Sequence, residues 1–356
     1  MNKYKVSVII PTFNTGDLLN DLFDSLLNQS LGFEDIEVIF VDDASSDQYT
    51  LDLINKFTSN YSNCKGVFLK VNSGFPGKPR NIGIKESSSD YVIFADHDDT
   101  YEKNTLEVLY DEITKKNADI TISNFNQVID GKIIPYKSYY EKNTEITDIS
   151  KNKELLQISA AIWTRLFRKD FLIKNNIEFL EGMLAEDVYF AIKTSSYSSK
   201  IIYLAEFYGY NYNIRDSDND KSTIHIRNKK YLEAMLNGYF EISKTLKNEK
   251  KEEYAKDVFK PHLTSWLYTL SISKTSDLEK KELFKKSISL YNDYYIEDPY
   301  FKGRYKKLVN YIKNNDLDLA IQEINKIKKS QKNINESLKE NKFKKAFKYF
   351  KNKFKS

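Results

Sequence analysis

Short apolar runs alternate with helical repeats through the first half of the chain. The runs KVSVIIPTF (5–13), IEVIFVDD (36–43) and YVIFAD (91–96) are rich in β-branched and aromatic residues, which is typical of strands buried on both faces. Between them, leucines recur at helical spacing, as in GDLLNDLFDSLLNQS (16–30). Strands that alternate with helices in this way predict an α/β domain with a mostly parallel sheet.

The pattern divides the chain into three parts. Further strands are predicted at 66–71, 118–125, 131–137 and 201–214, and further helices at 47–60, from near Pro79, and at 103–117. Beyond about residue 226 only helical periodicity remains, rich in Lys, Glu, Leu and Tyr. We therefore predict an α/β domain (1–225), a helical domain (226–335) and a separate tail (336–356).

The tail combines a phenylalanine stripe with lysine. Phe343, Phe347, Phe350 and Phe354 recur at helical spacing, and residues 342–355 contain seven lysines and no acid. A basic amphipathic helix of this kind is typical of membrane surfaces, where each lysine contributes about 1 kcal/mol near anionic lipid. The same stripe is also expected of a helix that packs on the helical domain or on another subunit, and a disordered tail is the remaining alternative.

Composition excludes several classes of protein. The chain is 40% hydrophobic and 30% charged, as in globular proteins, and its net charge of +4 does not call for nucleic acid as a partner. One cysteine, Cys64, rules out an internal disulfide framework, and three histidines make a multi-histidine metal centre unfavourable. No apolar segment approaches the roughly 20 residues that cross a bilayer, so we expect a cytoplasmic protein.

Polar residues follow each predicted strand of the first half. The strands lead into PTFN (11–14), VDDASSD (41–47), NSGFPGKPRN (72–81) and DHDD (96–99). Since ligands of open α/β sheets bind at the carboxyl ends of the strands, these segments are expected to form one site.

Asp96 and Asp98 supply the clearest chemistry at that edge. Two carboxylates one residue apart just after a strand suit Mg²⁺ or Mn²⁺, which take the rest of their ligands from water and phosphate. In the preceding loop, Gly74 and Gly77 allow close backbone approach, and Arg80 offers a guanidinium to phosphate or carboxylate. The chain contains neither GxxxxGK[ST] nor a GxGxxG after the first strand, so a P-loop or a standard dinucleotide fold is not predicted.

Together, VSVIIPTFN, VDDASSD, NSG…PRNIG and FADHDD resemble the family 2 inverting glycosyltransferases, which have the GT-A fold. The resemblance covers roughly residues 4–215. Within the family, KVNSGFPGKPRNIG (70–83) and AED (185–187) are most similar to wall teichoic acid glycosyltransferases of the TarS/TarP type, which carry a helical C-terminal region that mediates trimer formation.

The resemblance implies a set of residues that bind the nucleotide-sugar donor. Asp43, or else Asp42, would contact the uracil, and Asp96 would lie by the ribose and sugar. His97 stands where many relatives have a small residue, and it is either an additional ligand or an exposed bystander. The implied donor-binding residues are Pro11, Thr12, Phe13, Asp43, Asn72, Pro79, Arg80, Asp96, His97, Arg215 and Ser222, with Thr223 a further diphosphate contact.

The resemblance also implies the catalytic base and the metal ligands. Acids in a first helical turn usually interact with the helix dipole, but the family's ED motif makes Asp187 the base that takes the acceptor's proton, with Glu186 beside it. Asp98 would bind Mn²⁺ or Mg²⁺, and His225 either completes that shell or is a loop residue. Arg165 replaces the lysine of the family's KLF segment, which leaves its role open.

These features predict a metal-dependent inverting hexosyltransferase that moves GlcNAc from UDP-GlcNAc onto a polyanionic glycopolymer such as polyribitol-phosphate wall teichoic acid. Arg227, Lys229 and Lys230 are candidate contacts to acceptor phosphates. We expect a homo-oligomer, a trimer by resemblance, that contacts the inner leaflet through 341–356. The alternatives are a capsular or exopolysaccharide transferase acting on a lipid-linked oligosaccharide, and a non-catalytic scaffold with a degenerate GT-A domain.

Overall fold

The computed structural model describes residues 3–136, 138, 140–157, 161–215, 227–296 and 303–331 of the 356-residue chain. Within these ranges the chain forms two compact units. The first contains residues up to 222 together with 237–249, and the second contains 223–236 and the residues from 250 onward.

Over the described residues, ten strands form one mixed sheet in the first unit. Its order is β3-β2-β1-β4-β9-β6-β10-β5, with β7 paired to β6 and β8 to β10. The strands are β1 (Val6–Thr12), β2 (Ile36–Asp42), β3 (Cys64–Phe68), β4 (Tyr91–Phe94), β5 (Thr100–Tyr101), β6 (Ile120–Ile129), β7 (Lys132–Pro135), β8 (Thr144–Ile146), β9 (Arg165–Arg168) and β10 (Ile201–Ile214).

Ten helices have defined bounds in the described ranges, and one more runs over 317–331. They are α1 (Leu18–Leu27), α2 (Gln48–Asn60), α3 (Gly77–Glu86), α4 (Thr105–Lys116), α5 (Lys169–Lys174), α6 (Glu186–Tyr197), α7 (Lys229–Asn248), α8 (Ala255–Ile272), α9 (Asp277–Tyr294) and α10 (Lys306–Lys313). Short 3-10 helices lie at Phe33–Asp35, Ile149–Lys151, Lys153–Gln157, Ile162–Thr164 and Glu252–Tyr254.

The sheet is parallel where the sequence pattern was strongest. β1 pairs in parallel with both β2 and β4, and β2 with β3, so the carboxyl ends of these strands share one edge. Every residue of β1 and β2 is buried, which explains their continuous apolar runs. The α/β prediction is confirmed for this part of the chain.

Antiparallel strands complete the sheet, and among β5, β7, β8 and β9 the sequence pattern predicted only β7. β9 lies between β4 and β6 and runs antiparallel to both. The strands β5, β8 and β9 were missed because runs of two to four residues carry too little periodicity to recognise. Helix α3 begins at Gly77, two residues before the predicted start, because Pro79 fits within a first turn that needs no donor.

The second unit is helical and has its own core. The buried indole of Trp266 on α8 donates to the carbonyl of Leu232 over 3.0 Å, and the hydroxyl of Tyr291 on α9 donates to that of Leu263 over 3.0 Å. Helix α9 starts with a capping box between Ser276 and Glu279. Residues 237–249, which are the second part of α7 and the residue after it, lie beyond the boundary predicted at 225 and group with the first unit.

Candidate active site

Arg80 joins two carboxylates that are far apart in sequence. Its Nη2 lies 2.9 Å from Oδ1 of Asp96, just after β4, and its Nη1 lies 2.9 Å from Oε1 of Glu186, the first residue of α6. The side chain is buried under the sheet edge, and its guanidinium carbon lies 5.5 Å from the ring centre of Phe179. Arg80 therefore connects the end of a parallel strand to the helix that carries the predicted base.

Electrostatics tie these groups into one unit, which we call the carboxylate cluster: Arg80, Asp96, Glu186 and Asp187. Burial alone would lower the pKa of Arg80, but the charges of Asp96 and Glu186 outweigh it and raise that pKa. Burial, with the neighbouring charge of Asp187, raises the pKa of Glu186 to about 7. Burial likewise raises the pKa of Asp187 above its ordinary value of 3.8. A carboxylate of raised pKa in such a cluster is a suitable general base.

The start of α6 holds the two acids in place. Ala185, the N-cap, has a left-handed backbone with φ of 66°, and its carbonyl accepts the N–H of Tyr189 over 2.9 Å. The N–H of Val188 donates to Oδ1 of Asp187 over 2.7 Å, which fixes that carboxylate.

The other aspartates after β4 are held by β10. The hydroxyl of Tyr210 accepts from the N–H of Asp96 over 3.1 Å and donates to Asp99 over 3.0 Å. The N–H of Asn213 donates to the second oxygen of Asp99 over 2.7 Å. Burial, with the charges of Asp98 and Asp96, raises the pKa of Asp99 well above its usual range. Asp99 therefore anchors the turn that carries Asp96 and Asp98.

Asp98 forms an ion pair with Arg215, the residue that follows β10. The side-chain amide of Asn213 donates to the Asp98 carbonyl over 2.8 Å, which holds the two segments together. The structure thus brings together two residues that were predicted separately as a metal ligand and a diphosphate contact.

The donor set fits a divalent cation that also binds phosphate. Asp96 and Asp98 each use one carboxylate oxygen for an arginine, so each keeps a second hard oxygen. Mg²⁺ and Mn²⁺ commonly take one or two carboxylates and complete their shell with substrate phosphates and water. Within the described ranges no group of three or more His, Cys, Asp or Glu side chains is arranged to hold a metal by itself.

The turns after β2 and β3 form a second group, which we call the turn network: Asp42, Asp43, Asn72 and Ser73. Ser73 donates to the Asp43 carboxylate from its N–H over 2.9 and 3.0 Å and from its hydroxyl over 2.9 Å. The Asn72 side chain donates to the Asp43 carbonyl and accepts from Gly74, both over 2.8 Å. Asp42 is held by the hydroxyl of Thr12 over 3.3 Å and by the N–H of Ser45 over 2.9 Å.

The remaining predicted residues divide between exposed and buried positions. Phe13 is 45% exposed at the end of β1, whereas Pro11 and Thr12 are buried in it, and Pro79 is buried in α3. His97 is half-buried between Asp96 and Asp98. The predicted residues Ser222, Thr223 and His225 and the tail 341–356 lie outside the described residues.

The structure also shows the contacts of two other basic residues from the sequence analysis, Arg165 and Lys229. Arg165 is buried on β9, where burial lowers the pKa of its guanidinium to about 10, and its Nη1 lies 3.5 Å from the hydroxyl of Ser195 on α6. In the helical unit, Lys229 is ion-paired with Glu282, so its charge is already partly compensated.

Sequence reasoning missed Asn81, which docks the segment before the base. Its side chain accepts from the N–H of Phe179 over 2.7 Å and donates to the Phe179 carbonyl over 3.0 Å, as a neighbouring strand would. Tyr210 and Asn213 were missed as well. The NIG after Arg80 was a signal for Asn81, but nothing in the apolar run of β10 marks Tyr210 as a partner of the aspartates.

In open α/β sheets, ligands bind at the carboxyl ends of the strands, which is the edge where this sheet carries its aspartates and Arg80. Residues 7–174 match the family model for glycosyl transferase family 2, and this part of the chain is a domain of that family. The resemblance drawn from the motifs is confirmed.

A solved structure supports the fold. The crystal structure of Staphylococcus aureus TarS 1–349 in complex with UDP-GlcNAc superposes with a TM-score of 0.71, covering 91% of this chain and 92% of that chain at 24% identity. This likeness confirms the GT-A fold class with a helical C-terminal region.

Two relatives are enzymes that act on poly(ribitol phosphate). The Staphylococcus aureus N-acetylglucosaminyltransferase TarP is 36% identical over 214 residues, which are 57% of this chain and 62% of TarP. A Bacillus spizizenii poly(ribitol-phosphate) β-glucosyltransferase is 29% identical over 317 residues, which are 88% of this chain and 49% of that enzyme. The chain thus spans between about half and two thirds of the length of these relatives.

None of the helices in the described ranges is long and apolar enough to cross a bilayer.

Proposed function

We propose that the chain is an inverting glycosyltransferase that moves GlcNAc from UDP-GlcNAc onto a polyanionic glycopolymer such as poly(ribitol phosphate). The family 2 domain supports the reaction class, and the activities of the two relatives support the acceptor. Their donors differ, one being a glucosyl and the other an N-acetylglucosaminyl transferase, so the sugar is the least constrained element of the proposal.

The observation that carries the proposal is the bridge made by Arg80 between Asp96 and Glu186. Donor contacts in the α/β sheet and a base on α6 are separate features in sequence. The bridge joins Asp96 to the first turn of α6, which also carries Asp187, and this supports a proposed donor site and a proposed base that are neighbours.

In the proposed reaction, Asp187 accepts the proton of an acceptor hydroxyl as its oxygen forms a bond to the anomeric carbon. The bond from that carbon to the diphosphate oxygen breaks, and UDP leaves with the electron pair. Attack from the face opposite the leaving group inverts the anomeric configuration. Glu186, held by Arg80, keeps the first turn of α6 in register, and Phe13, Asn72 and Arg215 are proposed donor contacts.

Mn²⁺ or Mg²⁺ would be held by Asp98, with the second oxygen of Asp96 available to it. When bound, the cation supplies positive charge that stabilises the diphosphate leaving group. Removal of divalent cations by EDTA is then expected to abolish transfer, and Mn²⁺ or Mg²⁺ to restore it. Transfer that continues undiminished in EDTA would contradict a role for Asp98 in binding metal.

The function is tested by incubating the purified chain with UDP-GlcNAc, UDP-glucose, UDP-galactose or UDP-GalNAc. Each donor is offered with poly(ribitol phosphate), with a lipid-linked oligosaccharide, and without acceptor. We expect acceptor-dependent release of UDP from UDP-GlcNAc. Preference for another UDP-sugar would make that sugar the donor in place of UDP-GlcNAc. Transfer only to a lipid-linked oligosaccharide would favour the capsular alternative. Absence of turnover with every donor and acceptor would favour the non-catalytic scaffold.

Assembly and membrane contact are further proposals. The helical C-terminal region is proposed to form a homotrimer, and residues 341–356 to contact the inner leaflet. Sedimentation of the chain with anionic liposomes, with and without residues 341–356, tests the second proposal. Equal binding by both forms would contradict it.

A further inference from the structure

The turn from Leu180 to Ala185, which leads into the base, is held on two sides by glycines. A Cβ on Gly77 of α3 would lie 2.0 Å from the carbonyl oxygen of Leu180. A Cβ on Gly238 of α7 would lie 2.1 Å from the carbonyl oxygen of Leu184. Real side chains do not tolerate such distances, so both helices contact this turn through their backbones.

Gly238 stands in the middle of a twenty-residue helix, where glycine is the least favourable residue after proline. Its backbone is not among those with positive φ, so the conformation does not require glycine. It is the close contact with the carbonyl of Leu184 that requires glycine. An apparent weakness of α7 is therefore the feature that lets it approach the turn.

The contact is adjacent to the catalytic acids. A Cβ on Gly238 would also lie 3.1 Å from the Cβ of Ala185, the left-handed residue that caps α6 and directly precedes Glu186 and Asp187. Further along the same pair of helices, Lys193 of α6 and Glu249 just after α7 form a 3.1 Å ion pair at mostly buried positions. Helix α7 thus approaches the cap of α6, and the residue that follows α7 pairs with α6 beyond its middle.

We propose that Gly238 is a positioning residue. It fixes the position of the Asp187 side chain through the backbone of Leu184 and Ala185. The proposal rests on the proposed function, in which Asp187 is the base. It assigns a stretch outside the matched family domain, residues 237–249, a role in the reaction of the first unit.

The test compares Gly238→Ala with Asn237→Ala, an exposed neighbour on the same helix. Both changes favour the helix, so neither lowers helix propensity. A displacement of the base of about 1 Å costs up to about a hundredfold in rate, so we expect kcat of Gly238→Ala to fall at least about tenfold. Its KM for UDP-GlcNAc should stay within about twofold, and its pH–rate profile should shift because the acids move relative to Arg80. Asn237→Ala should match the parent.

Hydrogen exchange at the N–H groups of Val188 and Tyr189 provides a readout that needs no activity. It should be faster in Gly238→Ala than in Asn237→Ala. An unchanged kcat, pH profile and exchange rate in folded Gly238→Ala would overturn the proposal. A parent without transfer activity would instead overturn the proposed function, and the exchange comparison would still report on the contact.

If Gly238→Ala does not fold, the Lys193–Glu249 pair tests the same docking. Lys193→Met and Glu249→Gln are then expected to lower kcat by similar factors, and the double variant by no more than either, with the donor KM unchanged. Full activity in both single variants would overturn the proposal.

Discussion

The turn network and the carboxylate cluster are both acidic groups at the same edge of the sheet, yet they are held in different ways. In the turn network, neutral donors from nearby turns satisfy the carboxylates, as Ser73 does for Asp43. In the carboxylate cluster, one buried guanidinium serves Asp96 and Glu186, which lie 90 residues apart.

This difference indicates different tasks. Neutral hydrogen bonds fix the shape of a loop at little electrostatic cost, as a surface that recognises a nucleotide requires. A buried charge network is expensive to form and shifts pKa values, which is useful where a proton must move. The variants below separate the two groups, beginning with the largest expected effect.

Asp187→Asn is expected to lower kcat by about 10²–10⁴-fold, the usual contribution of a general base. The amide oxygen can still accept the 2.7 Å hydrogen bond from the Val188 N–H, so the fold of the turn should persist. Steady-state transfer and calorimetric binding of UDP measure the two quantities. Loss of UDP binding in parallel with kcat would place Asp187 in donor binding instead.

Arg80→Met should reduce the free energy of unfolding by about 3–5 kcal/mol, since it leaves Glu186 buried without its cation. Lys85→Met on the same helix is the matched control, because its 2.9 Å pair with Glu178 is exposed and worth at most about 1 kcal/mol. Urea denaturation gives both values. Similar losses of unfolding free energy in the two variants would show that the buried bridge stabilises the fold no more than an exposed ion pair does.

The pH dependence should follow the raised carboxyl pKa values. In the proposed reaction Asp187 must be ionised, so kcat/KM should rise with pH. Glu186→Gln should move the midpoint of that rise to lower pH by removing the neighbouring group whose pKa is about 7. Because the folded pKa of Glu186 lies above its ordinary 4.5, its contribution to stability is present below about pH 4.5 and is lost as the pH rises through about 7. The free energy of unfolding should therefore fall less over this range in Glu186→Gln, and a fall as steep as in the parent would contradict the assignment.

Asp43→Asn should have the smallest effect, about 1 kcal/mol of stability, because one oxygen can still accept from Ser73 while the new amide cannot. We expect its UDP affinity to fall while kcat at saturating donor stays within about threefold. Isothermal titration with UDP and steady-state kinetics measure both. A large loss of kcat with normal UDP affinity would show that Asp43 acts in the chemical step and not in UDP binding.

The sequence predicted the features that depend on local pattern. Buried runs such as those of β1 and β2 identified the parallel strands, and their shared edge brought Asp43 and Asp96 to one face. It could not predict that Arg80 turns inward to Glu186, because that pairing depends on where β9 and α6 pack. Tyr210 and Gly238 were invisible for the same reason, and the NIG motif marked Asn81 without indicating its partner. Each of the three acts through a contact with residues about 50 to 115 positions away.

The most direct test of the charge network is a double-variant cycle between Arg80→Met and Glu186→Gln, read as the free energy of unfolding above pH 7. We predict a coupling of about 2 kcal/mol or more, within the range for residues in contact, because removal of both partners relieves the buried charge that either single change leaves. The parallel cycle between Arg80→Met and Asp43→Asn should be additive to about 0.5 kcal/mol. Additivity in the first cycle would contradict the account of Arg80 as the bridge between the donor edge and the base.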